Sequence, residues 1–150
     1  METEKWQQDQ IVHLALVVKD IEKTLADYCR IFRMEMPQIK QTCPEEIAET
    51  EYRGRPTPAR AKQAFLSFGS MRIELMEPDA HDSTWKEYLE QHGNCVHHIA
   101  LYVPDMDRAL EELEGEEISL VQRGKYRGGK YAYVASEEKL AVMLELLQDD

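Results

Sequence analysis

The sequence predicts an α+β fold made of two copies of one strand–helix–strands unit. Three observations lead there. HLALVVKDI (13–21) recurs as HIALYVPDM (98–106), with His, Ala, Leu, Val and Asp identical. An amphipathic helical pattern follows each copy. KQAFLS (62–67) and RIELM (72–76) then reappear in the same order as KYAYVA (130–135) and MLELL (143–147). One short match is weak; four in one order are an internal duplication. At 150 residues, with 43% hydrophobic and 31% charged content, the chain is long enough to bury a core.

The elements follow in order. Residues 12–18 alternate as a strand, with Leu14, Leu16 and Val18 on one face and His13, Ala15 and Val17 on the other. Asp20 stands where a helix N-cap belongs, its carboxylate free to accept backbone N–H bonds. Ile21, Leu25, Tyr28, Cys29 and Phe32 then recur at helical spacing. Residues 33–61 are Pro-rich and weakly periodic and hold at most one short strand. The two strands at 62–67 and 72–76 end the first half. HDSTWKEYLEQHG reads as a connecting helix stopped at Gly93. The second half repeats the plan: a strand from 96, an N-cap at Asp105, a helix carrying Met106, Ala109, Leu110 and Leu113, then the final strands. One domain of two modules is expected, at about 10–80 and 94–150, joined by a helix at about 83–92.

Strand alternation decides which polar residues share a face. His98, Ala100 and Tyr102 point away from the helix of their half, and His97 joins the helix face or its edge. Arg72, Glu74 and Met76 oppose Ile73 and Leu75; Met143, Glu145 and Leu147 oppose Leu144 and Leu146. Each half therefore projects one His and one Glu from its non-helix face, beside a small Ala15 or Ala100. Brought together by a two-fold arrangement, these are two imidazoles and two carboxylates, a nitrogen and oxygen donor set for a metal. The duplication makes His98, the counterpart of His13, the expected ligand, with His97 packing or hydrogen-bonding nearby.

A net charge of −11 excludes a nucleic-acid footprint, which needs excess Lys and Arg. Eight of the 18 basic residues nevertheless sit in YRGRPTPARAK and QRGKYRGGK, which suits a small anionic ligand. Three cysteines without a CxxC pair form no disulfide framework, and no apolar run is long enough for a bilayer. With the polar start METEKWQQDQ, the expected compartment is the cytoplasm.

Over essentially its whole length the sequence resembles the vicinal oxygen chelate superfamily, which also comprises glyoxalases, bleomycin resistance proteins and ring-cleaving dioxygenases. HLALVVKDIEKTL, RIELMEP, HHIALYVPDMDRALEEL and MLELLQ look like its ligand-bearing segments. The resemblance implies paired βαβββ modules whose curved sheets enclose a metal-centred cavity. It implies one divalent ion (Zn, Ni, Co, Mn or Fe) held by His13, Glu74, His98 and Glu145, and a homodimer. Within the superfamily, RIELMEP, DSTWKEYLEQHG and VHHIA are most similar to methylmalonyl-CoA epimerases. RPTPARAK and VASEEKLAV depart from the epimerase pattern, the first lacking its customary glutamate. The implied activity is metal-assisted proton transfer beside a carbonyl. Glu145 is the base, Glu74 serves the opposite face, and Arg60, Lys62, Arg127 and Lys130 hold an acyl-CoA or a glutathione adduct. The alternatives are a glyoxalase I-type lactoylglutathione lyase and a metal-free antibiotic-binding protein of the same fold.

Overall fold

A computed structural model of the protein describes residues 10–150; the reading of the N-terminal stretch concerns residues 1–9, outside the described residues, and Gln10. The first half runs β1 (Ile11–Val17), α1 (Ile21–Phe32), β2 (Lys40–Gln41), α2 (Glu45–Ala48), β3 (Glu51–Tyr52), β4 (Arg55–Pro56), β5 (Ala61–Phe68) and β6 (Met71–Pro78). After α3 (Thr84–His92) come β7 (Cys95–Tyr102), α4 (Met106–Gly115), β8 (Leu120–Tyr126), β9 (Gly129–Val134), α5 (Glu137–Leu140) and β10 (Met143–Asp149).

Asp20 and Asp105 cap α1 and α4 in the same way, their side chains accepting from the N–H of Lys23 and Arg108. Ser83 caps α3, and Gly93, at φ 71°, ends it with its N–H on the Leu89 carbonyl. That φ lies in the region glycine adopts without steric cost.

All ten strands form one sheet in the order β2-β5-β6-β1-β7-β10-β9-β8-β3-β4. The duplication is visible in it. β1 runs parallel to β6 and antiparallel to β7, and β7 runs parallel to β10. The internal register repeats residue for residue: Ala15 pairs with Glu74 and Phe65 with Glu74, as Ala100 pairs with Glu145 and Tyr133 with Glu145. Laid flat, β2 and β8 would lie about 34 Å apart, seven steps of roughly 4.8 Å. Lys40 and Gln41 of β2 nevertheless line one cavity with Lys125 and Tyr126 of β8, so the sheet is strongly curled.

The convex face carries the two module helices. Val18, Ile21, Leu25, Ala64, Leu66 and Leu75 pack under α1; Val103, Met106, Leu113, Ala132, Leu144 and Leu146 pack under α4. The third cluster, around Val17, Met76, Trp85, Tyr133 and Met143, seats α3 between the halves.

Residues 33–61 hold more structure than the expected single strand. They form β2, the short α2 and the β3–β4 hairpin, which pairs with β8 of the other half through Glu51–Arg123 and Tyr52–Gln122. Elements of two to four residues are too short to show periodicity. Their turns use positive φ at Glu49, Arg53 and Gly54, of which only the glycine announces itself.

Candidate functional site

The four central strands each deliver one polar residue to the concave face: His13 from β1, Glu74 from β6, His98 from β7 and Glu145 from β10. All four are buried. The Nε2 atoms of His13 and His98 lie 3.1 Å apart. Glu145 Oε1 is 3.2 Å from each of them, and Glu74 Oε1 is 3.4 and 3.6 Å away. His13, Glu74 and His98 offer donor atoms all within 4.8 Å of one another.

This convergence fits a divalent ion on chemical grounds. Two buried carboxylates beside two imidazoles put two negative charges in a place where unpaired charge is costly. A doubly positive ion balances them, and mixed imidazole and carboxylate donors suit first-row metals.

The surroundings separate the two carboxylates. Burial pushes Glu74 above the usual carboxylate range, and its Oε2 accepts a 2.8 Å bond from Gln63 Nε2. Burial also acts upward on Glu145, but the adjacent His98 and His13 imidazoles override it and hold this carboxyl well below its ordinary range. Burial pulls His13 down, yet contacts with Glu145 and Glu74 outweigh it and raise the imidazole above 6.5.

His97 is fully buried, and a break in register explains its position. Ala15 pairs with His98 but Leu16 with Val96, so His97 is the extra residue of a β-bulge. Bulging brings two consecutive side chains together. His97 Nδ1 lies 2.7 Å from His98 Nδ1, and its Nε2 lies 2.9 Å from Thr84 Oγ1 on α3.

The site opens into a cavity of about 570 Å³. Gln63, Phe65, Tyr131 and Tyr133 line it, with Lys40, Arg72, Lys125 and Arg127 as its cations. Arg72 lies over the Phe65 ring at 4.3 Å, and Lys125 pairs with Glu49 at 2.7 Å. Of the four cations expected at the substrate, Arg127 lies here. The Arg60 guanidinium instead donates to the Thr42 carbonyl, Lys62 pairs with Glu77, and Lys130 lines a separate cavity beside α4. Among the described residues, Glu74 and Glu145 are the carboxylates that line the site cavity; Glu45, Glu49 and Glu51 line the other one. Gln63, Lys40, the two tyrosines and the role of Arg72 escaped the sequence reading. The repeat carried a signal for three of them, because Gln63 and Phe65 are the counterparts of Tyr131 and Tyr133: Phe65 and Tyr133 pair with the glutamates, Gln63 and Tyr131 with Met76 and Leu147 two residues on.

Comparison with known proteins agrees with the architecture. Residues 12–135 match the glyoxalase/bleomycin resistance protein/dioxygenase superfamily. The uncharacterized protein YqjC of Bacillus subtilis is 32% identical over 88 residues, 57% of this chain and 63% of that protein. The mitochondrial methylmalonyl-CoA epimerase of Homo sapiens is 24% identical over 115 residues, 75% of this chain and 57% of that one. These matches span less than two thirds of either relative's length. The crystal structure of methylmalonyl-CoA epimerase from Mycobacterium tuberculosis shares the fold at a TM-score of 0.66 and 18% identity, covering 100% of this chain and 93% of that one. With the superfamily match extending from β1 to the end of β9, and with a curled sheet of two repeated halves, the chain belongs to the glyoxalase/bleomycin resistance protein/dioxygenase superfamily.

Proposed function

We propose that the protein is a divalent-metal-dependent isomerase that moves a proton at the carbon beside a carbonyl, acting on an acyl-CoA in the manner of a methylmalonyl-CoA epimerase. One observation carries the reading: His13, Glu74, His98 and Glu145, from four strands of two repeated halves, converge at the floor of a cavity with a basic wall. The names of the human and mycobacterial relatives support the substrate class.

In this reading the four residues would hold the ion, which would supply Lewis acidity toward the substrate carbonyl. Glu145 takes the proton from the carbon. The imidazoles that hold its carboxyl low keep it ionised and able to accept, whereas Glu74 is pushed upward by burial and has Oε2 engaged by the Gln63 amide. The tyrosine and phenylalanine wall keeps water from the carbanionic carbon, and Lys40, Arg72 and Arg127 face the anionic portion of the substrate.

A second reading, a glyoxalase I-type lyase, is favoured by one feature. Glu74 and Glu145 are the carboxylates that line the described cavity, so a separate second base is not provided there. Protein stripped with chelator and reloaded with Zn, Ni, Co, Mn or Fe(II) distinguishes the two. In deuterated water it should exchange the α-hydrogen of a 2-substituted acyl-CoA. Exchange confined to the glutathione hemithioacetal of methylglyoxal would establish the lyase. Exchange with neither would overturn both in favour of a binding protein.

A further inference from the structure

We propose that His97 is the positioning residue that holds the His98 imidazole with its proton on Nδ1 and its Nε2 bare toward the centre of the site. This rests on the metal reading above and adds a role for a residue that touches none of the donor positions.

His98 Nε2 faces His13 Nε2 and both glutamates, so it serves an ion only when unprotonated. The one proton of neutral His98 then sits on Nδ1, which at 2.7 Å donates to His97 Nδ1. His97 in turn carries its proton on Nε2 and donates to Thr84 Oγ1 at 2.9 Å. The reverse arrangement, with both protons shifted by one position, satisfies the same hydrogen bonds but puts a proton on His98 Nε2. Two proton arrangements satisfy the chain, and one of them is competent for the ion.

The chain is anchored at its far end. Thr84 is buried and donates its backbone N–H to Gln122 Oε1 at 2.9 Å, while Gln122 Nε2 donates to the Tyr131 hydroxyl at 3.1 Å. His97 is also clasped between the Tyr88 and Tyr133 rings, at 4.9 and 5.0 Å. Among the described residues, the partner of its Nδ1 is His98 Nδ1.

The repeat supplies an internal control. β1 bulges too, between Ile11 and His13, and the extra residue there is Val12, the counterpart of His97. Valine offers no acceptor, and among the described residues His13 Nδ1 is buried without a partner. The same backbone irregularity therefore precedes both histidines, and only the second copy fills it with a group that can orient the ring.

The test compares His97→Val, which copies the first half into the second, with His97→Asn, whose Oδ1 takes the place of Nδ1 as acceptor. Zn and Co(II) affinities are measured by competition with a chromophoric chelator, and thermal melts confirm folding. His97→Val should bind about 10–100-fold more weakly, the usual cost of losing a ligand's outer partner, and His97→Asn should return to near the wild-type value. Thr84→Val should weaken binding less than His97→Val. Equal losses in Val and Asn, or none in Val, would overturn the proposal while leaving the metal reading intact. Wild-type protein that binds neither ion would overturn both. If His97→Val does not fold, 15N spectra of the ion-loaded wild type decide. Protons on His98 Nδ1 and His97 Nε2 support the assignment, and a proton on His97 Nδ1 overturns it.

Discussion

The two halves of the site share a backbone plan and differ in nearly every side chain around it. In the first half, His13 follows Val12 and its Nδ1 has no partner among the described residues, Glu74 accepts an amide bond from Gln63, and Phe65 carries Arg72 on its face. In the second, His98 is braced by His97, Glu145 Oε1 meets both imidazoles, and Tyr133 bonds to Trp85. Even the residue two before each glutamate differs: exposed Arg72 in one half, buried Met143 in the other. A duplicated fold thus presents a symmetric donor set inside an asymmetric pocket. In the proposed function the first half would hold polar substrate groups, and the second, braced by His97 and by the Trp85–Tyr133 bond, would carry the base.

The largest test of that division is to neutralise each glutamate in turn. Glu145→Gln keeps an oxygen donor and removes the basic carboxylate. It should retain metal and lose α-hydrogen exchange by about 10²–10⁴, the usual contribution of a general base. Glu74→Gln keeps the acceptor that Gln63 uses and should lose far less. Deuterium incorporation followed by NMR on metal-loaded variants reads both. Equal losses would show that the two carboxylates act as a symmetric pair, and a larger loss in Glu74→Gln would reverse the division.

Much of the plan was legible in the sequence because it is written twice. His13, Glu74, His98 and Glu145 could be placed on one face by strand alternation alone, and the structure brings those four together. Whether they hold an ion is the chemical proposal built on that geometry. What stayed hidden was written once or was too short. The β3–β4 hairpin crosses to the other half with two residues per strand and leaves no period to detect. The His97 bulge breaks the very alternation used to assign faces. The basic stretches were visible as composition, but strand direction sends Arg60, Lys62 and Lys130 away from the cavity and leaves Arg127 at it.

The aromatic walls give a test of intermediate size. Tyr133 accepts from Trp85 Nε1 at 3.0 Å, and Trp85 is 2% exposed. Tyr133→Phe leaves that N–H buried without an acceptor, at a cost of about 1–3 kcal/mol. Its counterpart Phe65 lacks a hydroxyl, and Phe65→Leu removes the edge contact with the His13 ring and the Arg72 cation–π contact, the latter worth about 0.5–1 kcal/mol at an exposed site, without leaving a buried polar group unpaired. Denaturant melts of the two variants should therefore rank Tyr133→Phe as the more destabilised. The opposite ranking would mean that the second half is not the more rigid of the two.

The smallest expected effect concerns the arms of the sheet. Arg127 lines the site cavity beside Lys125 and Tyr126, whereas the Arg60 guanidinium is taken by the Thr42 carbonyl at 2.9 and 3.0 Å. If an anionic substrate handle lies along the second-half arm, Arg127→Ala raises KM and leaves kcat and metal content unchanged. A solvent-exposed charge pair is worth about 0.2–1 kcal/mol, so the rise is several-fold at most. The contact is screened by salt, so the difference between Arg127→Ala and wild type should shrink as ionic strength rises above 0.1 M, where the Debye length falls to about 10 Å. Arg60→Ala should leave KM unchanged at every salt concentration, because its guanidinium donors are held by the Thr42 carbonyl and Arg60 does not line the site cavity. A KM change in Arg60→Ala equal to that in Arg127→Ala would place the handle along the first-half arm as well, and the asymmetry would then stop at the floor of the site.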